Sequence, residues 1–302
     1  MQKYDLILLS DQRFVDPENP DWFIKNILQE DNMVKNALEK RGYRVMRTNW
    51  DNPSVDWTET GYVLFRTTWD YFDRYPEFEQ WINRVKNLTT FINPVDTIIW
   101  NLDKHYLNEL KNNGINIPPT IYIERGCMTS LRELYLSAGW KDAILKPVIS
   151  GGARHTYRIN EENVDALERS FRELVSGESM MLQEFQHNVI NEGEIALMLF
   201  NGRFTHAVLK KAKSGDFRVQ DDFGGTVEDY RASKDEISFA ERAVACCQSL
   251  PVYARVDIIR DNNNQLCLAE LELIEPELWF RRFPPAVDSF AEAIAVHINK
   301  KG

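Results

Sequence analysis

Residues 143–156 read AILKPVISGGARHT. An apolar strand, Ala143-Ile144-Leu145, runs straight into Lys146 and Pro147, and the pair Gly151-Gly152 follows a few residues on. An ammonium beside a glycine loop suits phosphate oxygens, because lysine supplies a point charge and glycines let backbone N–H groups approach closely. The same stretch also fits a snorkelling lysine at a strand end with an ordinary turn after it. The rest of the chain has to decide between the two.

The second informative stretch is YARVDIIRDNNNQLCLAELELIEPELWF, residues 253–280. Val252–Arg260 and Leu266–Ile274 read as antiparallel strands joined by the turn DNNN. Side chains alternate across a strand, so Arg255 pairs in phase with Asp257, and Glu270 with Glu272. A four-residue loop predicts Arg260 opposite Gln265, Asp257 opposite Leu268 and Arg255 opposite Glu270. Asp257 and Glu270 then become diagonal neighbours, about 7–8 Å apart at Cα. Such a face fits either Mg²⁺ or Mn²⁺ held by oxygen ligands or a solvated acidic surface. A one-residue register change would separate the two carboxylate sets. Taken together with Lys146 and its loop, a nucleotide site built differently from a P-loop is the better joint reading.

Composition narrows the alternatives. A chain of 302 residues with 43% hydrophobic content can bury a core in two or three linked lobes. A net charge of −10 argues against nucleic acid and anionic membranes as partners. No apolar run approaches the ~20 residues that span a bilayer. MQKYDLILLSD lacks the pattern of a signal peptide, so a cytoplasmic location is expected. Cys127, Cys246, Cys247 and Cys267 form no CxxC pair and read as reduced core thiols. HExxH, GxSxG, GxGxxG and the GxxxxGK[ST] loop are all absent, which excludes the commonest zinc-hydrolase, serine-hydrolase, dinucleotide and P-loop readings.

Along the chain, the first ~95 residues alternate in the α/β manner. Strands are predicted at Leu6–Leu9, Tyr43–Met46, Tyr62–Phe65 and Phe91–Ile92, with helices at Trp22–Arg41 and Pro76–Leu88. DTIIWNLDKHYLNELKNNG reads as one amphipathic helix closed by Gly114, on which Lys104 alone would be an ordinary exposed residue. Residues 120–185 alternate again. Asn201-Gly202 marks a hairpin between IALMLF and RFTHAVLK. SGDFRVQDDFGGTVEDY reads as a mobile loop before a helix near Lys234–Gln248.

The motifs NLDKHYL, AILKPVISGGARHT, MLQEF, EGEIAL, GDFRVQDDFGG, RVDII and LAELELIEP stand in the order of the ATP-grasp superfamily. The chain resembles its glutathione-synthetase-like branch, and is also similar to the branch of the amino-acid cyclo-ligase of cycloserine biosynthesis. The resemblance implies a mixed α/β fold. It has an N-terminal doubly wound α/β substrate domain (1–95), a linking helix and connector (96–119), a small central ATP-grasp lobe (120–185) and a C-terminal antiparallel-sheet lobe with the metal site (186–302). By motif, Lys104 and Lys146 would hold the α- and β-phosphates, and Ser150, Gly151 and Gly152 would belong to a loop that closes over them. Gln183, Glu184 and Phe185 would form the hinge against adenine, and Glu194 would reach the ribose. Asp257, Glu270 and Glu272 would ligate two Mg²⁺ ions, with Mn²⁺ as a substitute. Arg218 and Arg255 would stabilise the transferred phosphoryl group. Two departures weaken a specific claim to glutathione synthesis: SGGARHT is poorer in glycine than usual, and Glu272 stands where Asn is usual.

The implied reaction joins a small carboxylate to an amine through an acylphosphate, releasing ADP and phosphate; a homodimer is a family-level expectation. For the acid, Arg66 and Asp70 in LFRTTWDYF are the N-terminal candidates, since open α/β sheets bind ligands beyond their carboxyl strand ends. Trp69, Tyr71 and Phe72 would wall that pocket. Two other readings use the same nucleotide site: a sensor or assembly partner that does not ligate, and a kinase that stops at phosphoryl transfer.

Overall fold

The structure, a computed structural model, describes residues 2–301 apart from 214 and 220–223. Three sheets organise it. In the first, β1 (Tyr4–Ser10), β2 (Val45–Asn49), β3 (Thr60–Thr67) and β4 (Thr90–Ile92) are parallel in the order β2-β1-β3-β4. Helices α1 (Trp22–Glu39) and α2 (Tyr75–Val85) connect them. Asp21 starts α1 by accepting from the Ile24 N–H at 2.9 Å. Leu6–Leu9 of β1 are apolar without alternation because both sheet faces are covered: Leu6 and Leu8 pack with Leu64, Phe280 and Phe290, while Ile7 and Leu9 pack with Phe65, Phe78 and Trp81.

The predicted single helix at Asp96–Gly114 is two, α3 (Val95–Leu102) and α4 (Tyr106–Asn112). Asp103 is extended and its carboxylate accepts from the His105 N–H at 2.9 Å, which breaks the helical ladder. The Lys104 N–H is thereby free to donate to the Val148 carbonyl at 2.9 Å. That break turns Lys104 inward, leaving it 7% exposed.

The second sheet is antiparallel, β5 (Thr120–Ile123), β6 (Asp142–Pro147), β7 (Tyr157–Asn160) and β8 (Met180–Glu184) in the order β5-β8-β6-β7. It is backed by α5 (Leu131–Ala138) and α6 (Val164–Gly177). Ser130 and Glu133 form a capping box at the start of α5, and Gly139 closes it in the left-handed region.

After the short α7 (Asn188–Glu192), strands β9 (Glu194–Phe200), β10 (Arg203–Lys211), β11 (Thr226–Tyr230), β12 (Tyr253–Arg260) and β13 (Leu266–Glu272) form the third sheet, ordered β11-β10-β9-β12-β13. Asn201 and Gly202, at φ 49° and 74°, make the predicted hairpin turn. β11 occupies residues expected to be loop. Helices α8 (Lys234–Ala245) and α9 (Ala286–Lys301) complete the chain. The backbone edge of β13 is satisfied by side chains of the connecting segment. Asn101 donates to the Leu271 carbonyl at 2.8 Å and accepts from the Leu273 N–H at 2.9 Å, while the Tyr106 hydroxyl serves Leu271. Part of the predicted mobile loop, residues 214 and 220–223, lies outside the described residues.

Candidate functional site

A cleft of about 530 Å³ opens between the three sheets. Its floor is the β12–β13 pair. Asp257 lies directly opposite Glu270, and Arg255 opposite Glu272. The predicted register, with Arg255 facing Glu270, is therefore corrected. The turn holds five residues, and Ala269 is an extra residue inserted between Leu268 and Glu270 as a β-bulge. Without it Asp257 would face Ala269, and Glu270 and Glu272 would point into the core.

Cationic side chains hold these carboxylates. Arg255 donates to both oxygens of Asp257 at 2.9 Å and also pairs with Glu272. Burial alone would push Asp257 up; the Arg255 guanidinium and the Lys210 ammonium outweigh it and hold the acid at about 2. Glu270 sits 3.0 Å from Lys104 Nζ and is lowered, Lys104 and Lys146 prevailing over burial. Glu272 keeps a quarter of its side chain open to the cleft. Enclosure by protein nevertheless raises it to about 8, Arg255 compensating only in part and Glu270 and Asp257 adding repulsion.

Lys146, at the end of β6, enters the same cleft, where burial pulls its pKa down against the attraction of Glu270. Lys104 Nζ donates to the Ser150 carbonyl at the root of the glycine loop. Gly151 packs so closely on Phe72 that a Cβ there would lie 2.7 Å from its ring. Arg154 ties the loop to Asp73 at 3.0 Å and to both oxygens of Glu178 at 2.9 and 3.0 Å. Gln183, Glu184 and Phe185 border the cleft along β8 and just beyond it. Arg158 stacks over the Phe185 ring at 4.3 Å, and Phe217 meets it edge-on. Arg218 lines the cleft near Phe217 and pairs with Asp216 at 2.7 Å. Glu194 lines it as well and pairs with Lys210.

Two expected substrate residues lie elsewhere. Arg66 is 1% exposed, 3.3 Å from Asp31 and over the rings of Phe280 and Phe290. It shares with Leu64 the sheet face covered by α1 and α9, so it belongs to the core and does not reach the cleft. Asp70 accepts from the Trp50 indole at 2.9 Å and pairs with Arg74 at 3.0 Å, bracing the N-terminal aromatic core. Trp69, Tyr71 and Phe72 do wall the cleft, joined by Phe14 and Phe23.

Lys210 was not among the expected site residues, yet it lies 2.8 Å from Asp257 and also holds Glu194. Counting outward from Asn201-Gly202 would put Leu209 opposite Glu194. A bulge at Thr205, between Phe204 and His206, moves Lys210 there instead. Glu275, Glu277, Gln186 and Trp279 also line the cleft. Glu275, Glu277 and Trp279 fall in the segment IEPELWF, directly after β13.

Among the described residues no trio of His, Cys, Asp or Glu converges as a ready-made metal centre. Asp257, Glu270 and Glu272 each hold a cationic side chain instead. The donors are nevertheless all carboxylate oxygens on one face, and Glu272 keeps a quarter of its side chain open to the cleft. That chemistry fits a hard divalent cation such as Mg²⁺.

Residues 6–93 match the family model of the D-cycloserine synthetase DcsG N-terminal domain, and residues 117–267 that of the ATP-grasp domain of prokaryotic glutathione synthetase. The chain is 29% identical over 270 residues to the cycloserine biosynthesis protein DcsG of Streptomyces lavendulae, covering 83% of this chain and 88% of that protein. It superposes on the crystal structure of D-cycloserine synthetase DcsG with a TM-score of 0.85 and 25% identity, over 97% and 99% of the two chains. The D-alanine–D-alanine ligase of Bacillus anthracis complexed with ATP shares the fold at a TM-score of 0.64 and 14% identity, over 99% of this chain and all of that one (100%). No described helix is long and apolar enough to cross a membrane.

Proposed function

The chain belongs to the ATP-grasp ligases, and from that premise we propose that it activates a small substrate carboxylate with ATP as an acylphosphate and transfers the acyl group to an amine. The observation that carries this reading is the meeting of the cationic strand end and the acidic hairpin in one cleft, with Lys104 3.0 Å from Glu270 and Lys146 beside them.

In this reading Lys104 and Lys146 bind phosphate oxygens, and the loop Ser150–Gly152 shields them from water. The backbone at Gln183–Phe185 holds the base edge, with Glu194 at the ribose. Arg255 and Arg218 face the phosphoryl group in transfer. A divalent cation on Asp257, Glu270 and Glu272, one or two ions of Mg²⁺ or Mn²⁺, supplies neutralising charge to the phosphates. The protein's part is positioning, charge stabilisation and exclusion of water from a labile acyl group. The aromatic wall of Phe14, Phe23, Trp69, Tyr71 and Phe72 forms the end of the cleft that receives the acid and the amine.

The test is a screen of amino acids and dipeptides, both enantiomers, for ADP release with Mg-ATP, with mass spectrometry of the products. Amino acids carrying their own nucleophilic nitrogen belong in it, because the N-terminal domain matches that of D-cycloserine synthetase. A condensed or cyclised product is expected. ATP binding without ADP release, or a stable phosphorylated product without condensation, would overturn the ligase reading.

A further inference from the structure

Eight carboxylates line the cleft, and six have a cationic partner there: Asp73 with Arg154, Glu194 and Asp257 with Lys210, Glu270 with Lys104, Glu272 with Arg255, and Glu277 with Arg281. Glu184 and Glu275 have none among the described residues. Glu184 stands at the hinge strand. Glu275 stands at the opposite, aromatic end, just past the strand that bears Glu270 and Glu272. Its polar neighbour is the Tyr71 hydroxyl. Its own carbonyl accepts from the Trp69 indole at 3.0 Å, and Trp69 is in turn braced by Phe14 and Phe23. A carboxylate enclosed beside aromatic side chains with no cation in direct contact is costly unless a ligand brings a donor to it.

Resting on the ligase reading, we propose that Glu275 receives the nitrogen nucleophile, accepting a hydrogen bond from its N–H and then its proton as it attacks the activated acyl carbon. The N–C bond forms and the C–O bond to phosphate breaks. Phosphate leaves with the electron pair, and the proton shed by nitrogen passes to the carboxylate. Burial, opposed by the Tyr71 hydroxyl and Lys104, raises the Glu275 acid to about 7, where a carboxylate is a far better base than at its ordinary value.

The experiment compares wild type, Glu275→Gln and Tyr71→Phe with Mg-ATP and the amino-acid panel, offering as nucleophile either hydroxylamine or ammonium chloride near neutral pH. Hydroxylamine is already neutral near pH 7, and its weakly basic nitrogen sheds its proton to water once the N–C bond forms, so hydroxamate formation reports acyl activation and folding. Ammonium must lose a proton, so amide formation reports the base. Glu275→Gln is expected to keep hydroxamate formation within about twofold and to lose amide formation by ~10²-fold or more, with Tyr71→Phe showing a smaller loss of the same kind. Equal losses in both products, or no loss in either, would overturn the role of Glu275 while leaving the ligase reading intact. A wild-type enzyme that forms neither product would remove the ligase reading and this inference with it.

Discussion

Asp257 stands directly opposite Glu270 across β12 and β13, about 4.5–5.5 Å apart at Cα as such pairs are, because Ala269 adds one residue to β13. Two carboxylates in direct register are tolerable only with positive charge between and around them, which Lys104, Lys210 and Arg255 supply here. Glu270→Ala should therefore lower ADP formation by ~10²–10³-fold, the usual scale for one electrostatic element of a transition-state site. The fold should survive, as read by circular dichroism. Full activity would remove Glu270 from the site.

Lys146→Ala should lower turnover by ~10²-fold or more and raise the KM for ATP, measured by coupled ADP release. Lys146→Arg should not restore it, because the planar guanidinium presents a different shape and hydration from the compact ammonium that the recess encloses. Recovery with Arg would show that charge alone suffices at this position.

Lys210 is 5% exposed and serves the buried Asp257 and the partly buried Glu194. Lys210→Met leaves Glu194 and Asp257 short of their common counter-ion, so the loss should be about 3–5 kcal/mol, seen as a fall in Tm and in the urea midpoint. A variant as stable as wild type would mean that Arg255 alone satisfies Asp257.

Gly151→Ala drives a Cβ to 2.7 Å from the Phe72 ring. The glycine loop must then lift or Phe72 must turn, and the KM for ATP should rise several-fold. Phe72→Ala in the same chain should return it toward wild type if steric conflict is the cause. Two losses that simply add would point to independent roles.

His206 is buried, stacks on Phe283 and meets the Leu278 carbonyl through Nε2 at 2.8 Å. Burial lowers its pKa to about 4, only partly offset by that carbonyl. The unfolded chain therefore binds this proton more readily than the folded one. The contribution is complete above pH ~6.5 and is lost as pH falls toward ~4, by up to about 3 kcal/mol. Urea titrations across that range should show the slope in wild type and a shallower one in His206→Gln.

Local periodicity was legible in the chain. The alternation of βα units, the Asn201-Gly202 turn, the apolar run into Lys146 and the acidic spacing of Glu270 and Glu272 each follow from rules that act over a few residues. Three decisions were not local. Lys104 leaves an apparently continuous helix because Asp103 caps a break and Val148 takes the freed N–H. Arg66 goes to the core because α1 and α9 cover its face of the sheet and Asp31 meets it there. Most of all, single extra residues at Thr205 and Ala269 carry Lys210 and Glu270 onto the cleft face. A strand's sequence has a period of two, but its phase relative to a partner is set by bulges that only strand pairing and packing select. The sequence therefore determined which chemical groups this protein owns and the elements that bear them, and tertiary pairing alone decided which of them share a site.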